Sequence, residues 1–185
     1  MTNNKFVKHI PNTLTLINMS LGLGAILLLI QSEHLHKTLL ASVLIILGAF
    51  VDFFDGFFAR KLNVVTAMGK QLDSFADIIT FGIAPILLIN YTSRCESAIF
   101  TIIPSLIFMM AGVYRLARYN LNDFSKHFIG LPITAAGVGL TIYCAISSFW
   151  LTSLRYDFHT VITIIFIFLL SFMMVSRKKV NRITF

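Results

Sequence analysis

The sequence predicts an all-α, polytopic membrane protein with six transmembrane helices and both termini cytoplasmic. Three observations predict it. First, 57% of the 185 residues are hydrophobic and only 8 are acidic. A soluble domain of that length cannot bury so much apolar surface, so the surplus faces lipid. Second, six segments, at about 12–31, 38–59, 71–91, 98–119, 131–151 and 157–175, each approach the roughly 20 residues of helix that cross a hydrocarbon core of about 30 Å. Third, the 15 basic residues sort to one side: Lys5, Lys8, Arg60, Lys61, Lys70, Arg115, Arg118, Lys126, Arg177, Lys178, Lys179 and Arg182 against Lys37, Arg94 and Arg155. Positive charge accumulates on the cytoplasmic side, which fixes the orientation.

The segments follow in order. Lys5 and Lys8 lead into the first span without a small-x-small cleavage site, so this stretch is expected to be retained. Pro11 suits helix entry, with Asn12 or Thr13 as the cap. The second span ends in "VDFFDGFFAR" (51–60) and the third opens on "QLDSFAD" (71–77). The fourth ends in "RLARYN" (115–120), and Gly130-Leu131-Pro132 forms a turn into the fifth. After the sixth, "SRKKVNR" reads as an anchor against anionic headgroups. Short connections imply antiparallel neighbours in one compact domain spanning 1–185. The protein is expected in the cell membrane as a multi-pass chain. The basic excess is explained by helix ends, so nucleic acid is not an expected partner.

Other ionisable and sulfur residues carry less. Cys95 and Cys144 are far apart and in no ligand-like spacing, so both read as structural, without a disulfide or zinc site. His34 and His36 have metal-like spacing but fall in the outer loop. His9, His127 and His159 are isolated, and Asp123 reads as a loop residue.

Four of the 8 acidic residues, Asp52, Asp55, Asp73 and Asp77, flank one cytoplasmic turn. Asp52, Asp55, Gly56 and Ala59 are spaced i, i+3, i+4 and i+7, one face of a helix, while Phe53, Phe54, Phe57 and Phe58 fill the other directions. Gly69, Asp73 and Asp77 repeat the device on the next helix, with Ala76 and Thr80 alongside, and a turn around Lys61–Met68 lets the stripes face each other. Like charges about 4 Å apart repel by roughly 4 kcal/mol at an effective dielectric near 20, so such a cluster keeps protons or binds cations. Hard oxygen donors without His or Cys point to Mg²⁺, Mn²⁺ or Ca²⁺ rather than zinc, and four carboxylates suffice for a two-metal site acting at phosphorus. Helix capping or pairing with Arg60, Lys61 and Lys70 would account for one or two of the aspartates. It leaves the shared register with small residues unexplained.

The segment "DFFDGFFARKLNVVTAMGKQLDSFAD" carries the pattern D-x2-D-G-x2-A-R-x8-G-x3-D-x3-D without departure. It resembles the signature of the CDP-alcohol phosphatidyltransferases, and the six-span length agrees over nearly the whole chain. The resemblance implies one membrane domain that transfers a phosphatidyl group from a CDP-linked lipid to an alcohol and releases CMP. It implies that Asp52, Asp55 and Asp73 hold two divalent cations, Mg²⁺ or Mn²⁺ with Ca²⁺ as an inert occupant. Asp77 is implied as a further metal ligand and as the general base on the acceptor hydroxyl. Gly56, Ala59 and Gly69 are implied to admit the nucleotide, with Arg60 near the phosphates. The active site would face the cytoplasm, and the enzyme would be a homodimer among membrane lipids.

Three further stretches resemble the phosphatidylserine synthase branch, which uses CDP-diacylglycerol and L-serine. They are "IPNTLTLINMSLG" (10–22), "QLDSFADIITFGIAP" (71–85), and "RLARYN" with "FIGLPITAAG" (128–137). The resemblance places Asn12 and Thr15 near the nucleotide. Arg115 and Arg118, at i and i+3, suit a serine carboxylate or a lipid phosphate, or serve as positive-inside residues. Two alternatives stay open: the same chemistry on glycerol 3-phosphate or inositol phosphate, and a small divalent-cation carrier. A phosphorylated acceptor calls for a denser basic cluster than Arg115, Arg118 and Lys126 offer. A carrier calls for carboxylates nearer the bilayer midplane.

Overall fold

The computed structural model describes residues 3–31, 35–62, 64–92, 99–121, 127–150, 156–176 and 179–181. His34, Arg94, Cys95, Asp123, Lys126, Arg155, Arg177, Lys178 and Arg182 lie outside the described residues. The elements are α1 (Asn3–Gln31), α2 (Leu35–Lys61), α3 (Ala67–Asp77), a π-helical segment (Ile78–Ile83), α4 (Ala84–Thr92), α5 (Ile99–Leu121), β1 (His127–Ile129), α6 (Ile133–Trp150), α7 (Tyr156–Val175) and β2 (Lys179–Asn181). Four helical stretches are long and apolar enough to cross a membrane: Pro11–Gln31, His36–Lys61, Ala67–Thr92 and Ile99–Leu121. Two shorter apolar stretches, Ile133–Ser148 and Thr160–Val175, complete a helical, multi-pass bundle.

Two features depart from expectation. Pro11 does not open the first helix; α1 begins at Asn3 and carries Pro11 inside it, so Asn12 and Thr13 are not caps. A proline in a helix interior costs one hydrogen bond, of order 3 kcal/mol, and a helix of 29 residues survives that single loss. The second departure is a two-stranded antiparallel ladder, β1 with β2, pairing Phe128 with Val180. It ties the segment before α6 to the one after α7. Gly130 follows at φ +75°, and a Cβ there would lie 2.5 Å from the Met174 carbonyl oxygen, so the turn demands glycine. The Leu131 amide then donates to the Met173 carbonyl at 3.0 Å. The expected turn at 130–132 is therefore present and docked on the end of α7.

The core runs along the bundle axis through Ile45, Phe81, Leu88, Phe108, Ile133, Leu140 and Ile167. Lipid-directed residues such as Phe50, Phe53, Ile103, Met110 and Phe172 are exposed. Buried hydroxyls meet the demand for internal partners in lipid by bonding back along their own helices. Ser42 donates to Thr38, Thr141 to Gly137 and Ser171 to Ile167, each at 2.8 Å.

Helices approach closely where small residues permit it. Thr80 is wedged between Gly22 of α1 and Gly48 of α2, and donates to the Asn18 carbonyl at 3.1 Å. A Cβ on Gly22 would come within 2.8 Å of the Thr80 Cα, while one on Gly139 meets nothing within 4 Å. Ala is favoured over Gly by up to about 1 kcal/mol inside a helix, whereas overpacking costs about 1–3 kcal/mol. Gly22→Ala is thus expected to lower the thermal midpoint in detergent, and Gly139→Ala to hold or raise it. Equal midpoints for the two variants would contradict this packing.

The π-helical segment has a local cause. Pro85 has no N–H for the Phe81 carbonyl and its ring crowds that oxygen, so the ladder widens, with the Ala84 amide bonding Ile79. The released Phe81 backbone is approached by Gly137 of α6, where any Cβ would collide with it. The extra residue per turn begins directly after Asp77, a placement common at functional sites.

Candidate active site

The turn between α2 and α3 is short and capped. The Thr66 hydroxyl accepts the Gly69 amide at 2.9 Å, which fixes the start of α3. This turn brings the two aspartate stripes face to face. One carboxylate oxygen from each of Asp52, Asp55 and Asp73 falls within 4.8 Å of the others. Asp77 is outside that trio but adjoins it, interacting electrostatically with Asp52, Asp73 and Asp55. Its Oδ1 is buried without a hydrogen-bond partner. Three convergent hard oxygens and one unsatisfied oxygen of a fourth carboxylate fit a divalent cation of the Mg²⁺ or Mn²⁺ type.

Opposing charge comes from α5. Arg115 is 7% exposed, interacts electrostatically with Asp77, and has its Nε buried without a partner. Arg118 diverges from it. Its guanidinium donates to the Val175 carbonyl at 3.3 Å and lies 5.7 Å from the Tyr114 ring, covering an orphan carbonyl at the end of α7. The two arginines that the sequence places on one helix end therefore address different neighbours.

The small positions also separate. A Cβ on Gly56 would meet nothing closer than the Arg60 guanidinium, at 3.8 Å. Protein packing therefore does not require glycine there, and the surface beside Asp55 is open. Arg60 is exposed and interacts with Asp55. A Cβ on Gly69 would sit 3.0 Å from Thr66 Oγ1 and 3.2 Å from Asn12 Oδ1, so Asn12 of α1 overlooks the start of α3. Ala59 is half-buried one turn beyond Asp55. Thr15 turns to the carboxylates: its hydroxyl is 2.9 Å from Asp55 Oδ2 and 3.0 Å from the Pro11 carbonyl, with one proton to share.

Further polar groups of neighbouring helices reach the aspartate helices or lie close by. Thr134, in the first turn of α6, donates to Asp52 Oδ2 at 3.3 Å. Asn120 donates to Ser74 at 2.9 Å, joining the end of α5 to the aspartate helix. Asn18 is wholly buried with both amide atoms unpartnered. Thr134 and Asn18 fall within "FIGLPITAAG" and "IPNTLTLINMSLG", which was the available signal. Among the described residues His36 is in no ligand cluster, and Cys144 is buried as a free thiol beside Thr92.

Residues 8–176 match the CDP-alcohol phosphatidyltransferase family. The chain is 36% identical to the CDP-diacylglycerol–serine O-phosphatidyltransferase of Bacillus subtilis (strain 168) over 174 residues, covering 94% of this chain and 90% of that one. It is 33% identical to the archaetidylserine synthase of Methanothermobacter thermautotrophicus over 190 residues, covering 99% and 75%. A CDP-diacylglycerol–serine O-phosphatidyltransferase of Methanocaldococcus jannaschii is 35% identical over 142 residues, covering 77% of this chain and 63% of that protein. With the aspartate cluster built as the signature requires, and the match running nearly end to end, the chain belongs to the CDP-alcohol phosphatidyltransferase family.

Proposed function

We propose that this protein transfers the phosphatidyl group of CDP-diacylglycerol to the hydroxyl of L-serine, giving phosphatidylserine and CMP. It does so as a single-domain, six-span homodimer in the cell membrane, with the carboxylate cluster at the cytoplasmic face. The observation that carries the reading is the convergence of Asp52, Asp55 and Asp73 within 4.8 Å, with buried Asp77 and Arg115 beside them. Asp52, Asp55, Asp73 and Asp77 would hold two Mg²⁺ or Mn²⁺ ions. Bound there, the cations supply neutralisation of a pyrophosphate and polarisation of the attacked phosphorus.

The protein's own groups account for the rest. Asp77 takes the proton of the serine hydroxyl as its oxygen bonds to the phosphatidyl phosphorus, and the bond from phosphorus to the CMP oxygen breaks. The open flank formed by Gly56 and Ala59, with Arg60, Asn12 and Gly69 around it, receives the nucleotide. Arg115, with an unsatisfied buried N–H, binds the serine carboxylate and holds it clear of the aspartates. The exposed phenylalanines of α2 keep the acyl chains' side of the site in lipid. Arg118 contributes to the positive rim and to the end of α7.

The acceptor decides the reading. Membranes containing the protein, incubated with CDP-diacylglycerol, Mn²⁺ or Mg²⁺ and each labelled alcohol, are expected to form lipid product and CMP with serine. Product with inositol phosphate or glycerol 3-phosphate but none with serine would reassign the acceptor. Movement of divalent ions across vesicles without any CMP release would end the enzyme reading.

A further inference from the structure

We infer that Thr15 and Thr134 are positioning residues for the cation site, holding the two aspartates of α2 from opposite neighbouring helices. The inference rests on the proposal that the aspartates bind divalent cations. Thr15 reaches Asp55 from α1 at 2.9 Å, and Thr134 reaches Asp52 from α6 at 3.3 Å. Each contact uses the Oδ2 atom of its carboxylate. Ser20, Ser42, Ser74, Thr141 and Ser171 donate to carbonyls of their own helices, whereas Thr134 reaches across to α2 and Thr15 divides its one proton between the Pro11 carbonyl and Asp55.

The chemistry favours such an arrangement. A carboxylate turning about its side-chain torsions presents oxygen in many directions, and a cation gains most from ligands already fixed. A hydroxyl donor on each carboxylate restricts that rotation without adding positive charge, which would compete with the cation. Burial strengthens the effect, since Thr15 is 3% exposed and Asp55 4%. Thr134 has its own mooring. It begins α6 just after the turn that docks on α7 through Leu131 and through the β1–β2 ladder, so its hydroxyl is delivered by a fixed backbone. The two contacts are unequal. The Thr15 distance lies in the normal range for a hydroxyl bond, and the Thr134 distance lies beyond it, so Thr15 is expected to matter more.

The test uses the full chain purified in detergent and the free-ion EPR signal of Mn²⁺ as the measure of binding, without substrate. Removing an outer-shell partner typically costs 10–100-fold in metal affinity. Thr15→Val is expected to weaken Mn²⁺ binding by about 10-fold or more, and Thr134→Val by up to about 10-fold. Thr15→Ser and Thr134→Ser, which keep the hydroxyl, should stay within about twofold of the parent. Thr15→Ala and Thr134→Ala provide second hydroxyl-free side chains, read on whichever variants elute and melt like the parent. Val or Ala variants that bind Mn²⁺ as the parent does would overturn the inference while leaving the cation site standing. Equal losses in the Ser and Val variants would also overturn it, assigning the threonines to packing alone. A parent protein that does not bind Mn²⁺ would remove the cation site itself, and the inference with it.

Discussion

Asp77→Asn is expected to lower the turnover of CDP-diacylglycerol and serine by about 10²–10⁴-fold, the contribution typical of a positioned general base. Asparagine keeps the shape and a hydrogen-bonding oxygen but cannot accept the hydroxyl proton. Asp77 suits the task because it adjoins the close trio of Asp52, Asp55 and Asp73 without being one of it, and keeps a buried Oδ1 that no protein group occupies. Its neighbours at the trio keep their places in the variant, so binding of CDP-diacylglycerol should remain near that of the parent. The measurement is single-turnover release of labelled CMP at saturating Mn²⁺, beside a binding assay with the labelled lipid. Normal turnover would remove Asp77 as the base. Recovery on adding more Mn²⁺ would assign it to cation binding alone.

Arg115→Gln should act on the acceptor. A hydrogen bond to a charged group contributes about 1.5–3 kcal/mol, so kcat/KM for serine is expected to fall by roughly 10–100-fold. Discrimination of serine over ethanolamine, which lacks the carboxylate, should fall with it. Arg115 is the cation that interacts electrostatically with Asp77, so its loss leaves that buried carboxylate less compensated and a lower thermal midpoint is expected. Arg115→Lys separates the effects: the charge stays and the planar fork is lost, so stability should recover more than serine selection. Arg118→Gln is the contrast, expected to disturb the end of α7 and leave the serine-to-ethanolamine ratio unchanged. A ratio that falls in Arg118→Gln and not in Arg115→Gln would reverse the assignment.

Much of this site was legible in the sequence because a helix converts spacing into direction. Asp52, Asp55 and Gly56 could be placed on one face from their numbers, and a turn as short as the one capped by Thr66 leaves the next helix little choice but to face it. The same rule puts Arg115 and Arg118 on one helix end, and their partners differ. A difference of three residues still rotates the side chain by about 60° and lifts it most of a turn, which is enough to send one to Asp77 and the other to the Val175 carbonyl. Pro11 misled for a related reason. A helix start is a local preference, and a long helix with tertiary contacts can override it. The widened turn after Asp77 left its signal in Pro85, but the consequence depends on Gly137 of a distant helix admitting the displaced backbone.

Hydropathy, helical register and a contiguous 26-residue signature are properties of neighbouring residues, so the helical membrane class, the four aspartates and the family can be read along the chain. Which partners those carboxylates keep depends on how distant helices pack. Thr15 lies 40 residues from Asp55 and Thr134 lies 82 from Asp52. Contacts at that separation are fixed by how α1 and α6 pack against α2, through glycines that let helices touch and a turn moored on α7. A motif can flag Thr15 or Thr134 without naming the carboxylate each one meets.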